Sequence, residues 1–130
     1  MIFIDTDILI DILRNYLPAR DWLDKQGKDQ PVYVPGYAAL EVLNGCRNKE
    51  ESTRALRLLR LFNICWASEN ASEEALYQYS DQRLKFNIGI IDVLIAATVK
   101  TFNGILYTFN QKHYQAVENL QTKQPYSKQN

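Results

Sequence analysis

Two cysteines in 130 residues, Cys46 and Cys65, are too few for a disulfide framework. His113, the sole histidine, does not stand at zinc-site spacing from them, so buried free thiols are the expectation. Neither charge is in excess: 15 basic and 15 acidic residues cancel. No overall field therefore draws nucleic acid in, and any such contact must rest on a local basic patch. No apolar run approaches the length that crosses a bilayer, and the opening Met1-Ile2-Phe3-Ile4-Asp5 has no basic leader. These absences point to a cytoplasmic protein with no membrane partner. Internal repeats and low-complexity segments are also missing, which excludes solenoid architectures.

What is present suits one compact domain. The chain weighs 15.1 kDa, with 46% hydrophobic and 23% charged residues, which is ordinary globular composition at single-domain size. Ile2 to Ile4 is a short run of β-formers stopping at Asp5, as a buried central strand would. From Asp7 the apolar positions Ile8, Leu9, Ile12, Leu13 and Tyr16 recur at helical spacing, with Asp5, Thr6 or Asp7 available as cap. Pro18 opens a second helical stretch near Ala19 to Gln26. A strand bracketed by Pro31 and Pro35 then leads to a helix from about Tyr37 to Asn44 that stops at Gly45.

Further on, Lys49 to Leu61 reads as a helix with Leu56, Leu59 and Phe62 inward and Arg54, Arg57 and Arg60 outward. A strand over Asn63 to Trp66 follows. Ser72, with Glu73 and Glu74 in the first turn, opens a helix reaching about Lys85. After Gly89, Ile90 to Thr101 is apolar on nearly every side and suits a helix buried against a sheet. Gly104 to Thr108 reads as the last strand, Phe109 to His113 as a loop, and Tyr114 to Leu120 as a short helix before a polar tail. Strands alternating with helices imply an α/β domain with a largely parallel sheet and helices on both faces, whose ligands bind at the carboxyl ends of the strands.

Three acids stand alone in apolar segments: Asp5 at the end of the first strand, Glu41 mid-helix and Asp92 near the start of the most apolar helix. A buried carboxylate must find a partner or take a proton, and no Lys or Arg adjoins any of the three in sequence. Two carboxylates about 4 Å apart repel by about 1 kcal/mol in water and about 4 kcal/mol at an effective dielectric of 20, so a shared divalent cation answers all three at once. Oxygen ligands point to Mg²⁺ or Mn²⁺.

Four segments, Phe3-Ile4-Asp5-Thr6-Asp7-Ile8-Leu9-Ile10-Asp11, Ala39-Leu40-Glu41-Val42, Ile91-Asp92-Val93-Leu94-Ile95-Ala96-Ala97 and Leu106-Tyr107-Thr108-Phe109-Asn110-Gln111-Lys112-His113-Tyr114, together resemble the PIN-domain family. VapC-type toxin ribonucleases are the nearest likeness. It spans almost the whole chain, with residues 1–122 as a PIN-like nuclease domain and 123–130 as a polar tail. The resemblance implies an endoribonuclease that hydrolyses RNA with Mg²⁺ or Mn²⁺ held by Asp5, Glu41 and Asp92. It also implies neutralisation by a cognate antitoxin, and a homodimer. Thr6, Thr108 and Asn110 fall where supporting residues would stand. The last motif departs from the family, which usually places an acid where this chain has Asn110 and then His113, and that weakens a second metal site.

The other residues near these motifs carry plainer readings. Thr6 either orients a ligating carboxylate or caps its helix. Asp7 reads as a cap, Asp11 as a solvated charge and His113 as a surface or capping residue. Glu41 either binds the metal or accepts a proton. The row Arg54, Arg57 and Arg60 is either a solvated face or a track for a phosphate backbone. Asp5-Thr6-Asp7 after a strand also fits haloacid-dehalogenase-like phosphatases, but those need a longer chain with a downstream Lys and an acidic pair. A non-enzymatic alternative is a PIN-like module, poor in metal, that binds RNA or a partner. Asn110 removes one negative charge from the cluster, so Asn110→Asp is expected to lower the Mn²⁺ concentration needed for activity; an unchanged Mn²⁺ dependence would place Asn110 outside the metal's reach.

Overall fold

The computed structural model describes residues 1–128. Among them, five strands and seven helices alternate: β1 (Ile2–Ile4), α1 (Thr6–Leu13), α2 (Leu17–Asp29), β2 (Val32–Pro35), α3 (Gly36–Asn44), α4 (Lys49–Leu59), β3 (Asn63–Cys65), α5 (Glu69–Phe86), α6 (Ile90–Thr101), β4 (Ile105–Tyr107), α7 (Gln111–Tyr114) and β5 (Gln121–Lys123). Helix ends follow local chemistry. Asp5, Asn48 and Ser68 accept from amides in the first turns of α1, α4 and α5, satisfying donors that the helix leaves orphaned. In a chain with only five glycines, asparagines take the left-handed positions, with Asn15, Asn87, Asn103 and Asn119 all at positive φ. Their short side chains tolerate that backbone region better than most.

The sheet order is β3-β2-β1-β4-β5, with every neighbouring pair parallel. β1 is central: Ile2 and Phe3 pair with Val32 and Tyr33, and Ile2, Phe3 and Ile4 pair with Ile105, Leu106 and Tyr107. Both faces of β1 are buried, which accounts for a strand that is apolar at every position. Helices cover both faces. On the side of Ile4, Trp22 of α2 meets Tyr107 with ring centroids 5.0 Å apart. On the opposite side Phe3 meets Phe102, just past α6, at 5.9 Å. The chain leaves β1 toward β2 in one direction and reaches β4 in the other, so a topological switch point lies at the carboxyl ends of β1 and β4.

Several expectations are corrected. The helix after β3 begins at Glu69 with Ser68 as its cap, not at Ser72, because the Ser68 hydroxyl already receives the Ala71 amide. On α4 the inward residues are Ala55 and Leu59, while Leu56 is 41% exposed. A small residue lets that helix approach closely. The expected loop Phe109 to His113 contains α7, and the expected helix Tyr114 to Leu120 gives way to turns and then to β5. Strand β5 reads Gln-Thr-Lys and is partly exposed, so it carries no hydrophobic signal. The 122/123 boundary falls inside this strand.

Beyond β5 the chain folds back over α1. Tyr126 packs between Tyr16 and Phe109 and donates to Asp11 at 2.6 Å, while Lys128 pairs with Asp11 at 2.9 Å. Asp11, expected to be solvated, is 9% exposed and doubly partnered.

Gly104 sits where β4 enters the sheet, and a Cβ there would lie 2.6 Å from the ring of Phe3, which is fully buried. The ring cannot yield without disturbing β1. Gly104→Ala is expected to destabilise the protein by about 1–3 kcal/mol, measured by urea denaturation; a loss below about 0.5 kcal/mol would mean that the Phe3 pocket can relax.

Candidate active site at the carboxyl ends of β1 and β4

Asp5 follows directly from β1 and is 3% exposed. Its amide continues the ladder to the Tyr107 carbonyl at 3.0 Å, so the sheet fixes where its side chain departs. One carboxyl oxygen accepts from the Thr6 amide at 2.8 Å, and the other accepts from the Thr108 hydroxyl at 2.7 Å. Thr108 in turn accepts the Asn110 amide at 3.0 Å and is itself fully buried. Burial, then the nearby charge of Asp7, and more weakly that of Asp92, raise the Asp5 carboxyl from 3.8 to about 7 against these hydrogen bonds. Asp7, expected as a cap, lies inside the first turn of α1, whose N-cap is Asp5; it accepts the Ile8 amide at 2.9 Å and ties the loop after β4 by accepting the Phe109 amide at 2.9 Å. Its carboxyl is likewise raised, chiefly by burial.

Glu41 projects from α3 toward the same end of the sheet, and the Thr6 hydroxyl donates to its Oε1 at 2.6 Å. Thr6 thus touches two of the acids, its amide on Asp5 and its hydroxyl on Glu41. Asp92, in the first turn of α6, is held by two consecutive residues of α7. Tyr114 donates to Oδ1 at 3.3 Å, and His113 Nε2 lies 3.0 Å from Oδ2. Tyr114 is 1% exposed, and its hydroxyl is pushed far above the usual phenol range by burial and by the charges of Asp5 and Asp92. Sequence reading missed Tyr114 because an apolar-looking position before Val117 reads as core. It also favoured a surface or capping role for His113 over that of a general base. Asn110 begins α7 without a side-chain capping bond and is exposed.

The desolvation argument therefore holds for Asp5 alone, because Glu41 is exposed and Asp92 only half-buried. Among the described residues, no Lys or Arg forms an ion pair with Asp5, Glu41 or Asp92. Burial first, and the charges of Asp7 and Asp92 after it, raise Asp5; a divalent cation would offset both, and oxygen donors suit Mg²⁺ or Mn²⁺. As the side chains stand, no three or more His, Cys, Asp and Glu residues among those described gather into a group that could hold an ion. Instead Asp92 faces Tyr114 and His113, and Glu41 faces Thr6.

From Glu41 a groove of about 420 Å³ runs between α1, α3 and α4, with an apolar floor that includes Ile10, Leu13 and Val42 and with Arg14, Arg47 and Arg54 around it. Arg54 is anchored by donating to the Leu13 carbonyl at 3.1 Å and also lines a second cleft together with Arg20 and Arg57. Two members of the expected basic row, Arg54 and Arg57, thus share one cleft, and Arg54 also lines the groove that Glu41 reaches. No helix among the described residues is long and apolar enough to cross a membrane.

A five-stranded parallel α/β sheet with a buried acid, Asp5, at its switch point defines a class of protein, and comparison with known proteins narrows it. The PIN domain family model matches residues 2–119. Ribonuclease VapC10 from Mycobacterium tuberculosis is 36% identical over 121 residues, covering 92% of this chain and 90% of its own. Among solved structures, VapBC2 from Rickettsia felis, bound to a promoter DNA fragment, shares the fold at a TM-score of 0.79 and 18% identity, covering 95% of this chain and 98% of that one. VapBC-1 from nontypeable Haemophilus influenzae does so at a TM-score of 0.75 and 24% identity, with coverage of 95% and 98%. The chain belongs to the PIN-domain family.

The raised Asp5 carboxyl has a consequence for stability. With the folded value near 7 and the ordinary value at 3.8, the folded chain keeps a proton that the unfolded chain has lost between those limits. Metal-free stability therefore falls as pH climbs through that window and levels off above about 7. Between pH 5 and pH 8 in EDTA, wild type is expected to lose about 2–3 kcal/mol relative to Asp5→Asn in urea denaturation. Parallel pH profiles would show Asp5 to be ionised throughout.

Proposed function

We propose that this protein is a Mg²⁺- or Mn²⁺-dependent endoribonuclease, the toxin of a toxin–antitoxin pair, with Asp5, Glu41 and Asp92 as its metal-holding and catalytic acids. The observation that carries the reading is Asp5, a carboxylate buried at the end of the central strand beside other acids and without a basic partner among the described residues. Membership of the PIN-domain family and the likeness to Ribonuclease VapC10 supply RNA as substrate. The reaction belongs to the cytoplasm, where cellular RNA is found.

A divalent cation at these acids would supply an acidified water for in-line attack and neutralise charge on the phosphate. The residues themselves divide the remaining work. Asp5 is fixed by Thr108 and the Thr6 amide, so its orientation is set before substrate arrives. Glu41 has one oxygen steered by Thr6 and sits in solvent, where its other oxygen can take the proton of the attacking water. Arg14 and Arg54, at the groove that opens from Glu41, give the RNA backbone a local positive field that the neutral net charge does not provide.

A cognate antitoxin is the partner suggested by the likeness to VapBC2 and VapBC-1. The homodimer is supported by the apolar side chains Leu76, Tyr77, Leu84 and Phe86, which α5 leaves in solvent. One alternative has a specific observation in its favour: His113 and Asn110 stand where the family usually has an acid, which suits a metal-poor module that binds RNA or a partner without cutting.

Purified protein with total cellular RNA and Mn²⁺ or Mg²⁺ is expected to give discrete new ends, lost in Asp92→Asn and in EDTA. Removal of a metal ligand is expected to lower the rate by at least about 100-fold, the scale of lost transition-state charge stabilisation. Absence of Asp92-dependent cleavage with either ion, in folded protein free of inhibitor, would leave the binding module as the reading.

A further inference from the structure

We infer that Arg14, Arg54, Arg57 and Arg20 form a track that leads an RNA strand away from Glu41, gripping its phosphates without reading its bases. The inference deepens the reading of RNA as substrate and rests on it. Arg54 joins two depressions: it lines the groove that Glu41 reaches, together with Arg14, and it lines a cleft of about 280 Å³ together with Arg20 and Arg57. Leu13 belongs to both linings, so the two depressions adjoin at the end of α1.

The positive charge gathered there exceeds what the fold uses. A helix ends in roughly half a negative charge, and at the end of α1 Arg54 alone meets it by donating to the Leu13 carbonyl at 3.1 Å. In the groove, Arg47 is matched by Glu51 at 3.3 Å. The second cleft has three arginines in its lining and no acid. All four arginines of the track are exposed, and among the described residues none of them forms an ion pair. In a chain of zero net charge, this is a concentrated field, and it begins beside Glu41.

The lining chemistry selects the occupant. Every cation in the two linings is arginine rather than lysine, and the guanidinium fork meets phosphate oxygens in pairs. Neither lining contains an aromatic ring, so no platform is offered on which a base could stack. Contacts to phosphate position a strand but carry no sequence information. The ligand that engages Glu41 and the arginines beyond it together is a polyanion passing through the site, whereas an acidic protein segment would meet the arginines and gain nothing at Glu41. The track therefore sets affinity alike for all sequences, and the choice of cleavage point is made elsewhere.

The test separates binding from cleavage. Fluorescence anisotropy follows labelled oligouridylate and oligoadenylate of about a dozen nucleotides on the full chain in EDTA, over a range of salt concentrations. The double variant Arg20→Gln, Arg57→Gln leaves the Arg54 contact to α1 in place. It is expected to weaken binding more than about tenfold at low salt and to flatten the salt dependence by about 1.4, each single-strand phosphate contact contributing about 0.7. The loss is expected to be the same for both oligonucleotides. Arg83→Gln, which removes a cation of α5 that stands over Tyr79, is expected to leave the slope unchanged. An unchanged slope in the double variant, or an equal fall in Arg83→Gln, overturns the track and leaves these arginines to an acidic protein segment. A loss confined to one oligonucleotide overturns the claim that bases go unread. Asp92-dependent cleavage, assayed on the same preparations, judges the nuclease reading separately: a flattened slope without cleavage supports the track and sinks the nuclease, and cleavage with an unchanged slope does the reverse. Circular dichroism verifies that the variants fold.

Discussion

The carboxylate of Asp5, buried at the end of the central strand, is the constraint around which this end of the molecule is organised. A charge in that position is tolerated only with partners, and the fold brings them from distant parts of the chain. Thr6 supplies an amide from the start of α1, and Thr108 supplies a hydroxyl from the end of β4, more than a hundred residues away. Pairing β1 with β4 is what makes the second contact possible. The nearby charges of Asp7 and Asp92 oppose ionisation, so the same arrangement that holds Asp5 still also leaves it in need of a positive charge.

Support for that carboxylate extends outward in layers. The Thr108 amide donates to the Lys123 carbonyl of β5 at 2.9 Å, so a short polar edge strand helps to position a residue that touches the site. The Phe109 amide is held by Asp7, and the Phe109 ring is covered by Tyr126 and by the ammonium of Lys128 at 4.4 Å. Asp11, Tyr126 and Lys128 complete a strap from α1 to the residues after β5. The loop carrying Thr108 and Asn110 is thereby fixed on both sides, by α1 and by Tyr126 and Lys128, which holds the carboxyl end of β4 in place beside Asp5.

Departures from the family pattern are concentrated in α7. Where the family usually has an acid followed by Phe, this chain has His113 followed by Tyr114. Both changes put a polar group against Asp92, one on each oxygen. They are mutually consistent: fewer negative charges crowd Asp92, and the oxygens left facing one another have donors between them. The groove beyond Glu41 adds arginines on one flank, so the local field around the acids differs from that of a neutral chain taken as a whole.

Much of this was legible without coordinates wherever the local pattern and the fold demanded the same thing. The apolar run of β1, the bracketing prolines of β2, the glycine that ends α3 and the apolar α6 each announce themselves by periodicity, composition or capping. The isolated acids Asp5, Glu41 and Asp92 are visible because a carboxylate is conspicuous in an apolar segment. What sequence could not supply was anything decided by contacts between distant residues. β5 carries no hydrophobic alternation and exists because β4 offers it an open edge. Asp11 looks like a surface charge until the end of the chain covers it, and Tyr114 looks like core until its hydroxyl is seen to meet Asp92. Local sequence determined the elements and the chemical types at the site; tertiary structure alone decided which side chains meet, because hydrogen bonding and burial depend on separations that sequence distance does not measure.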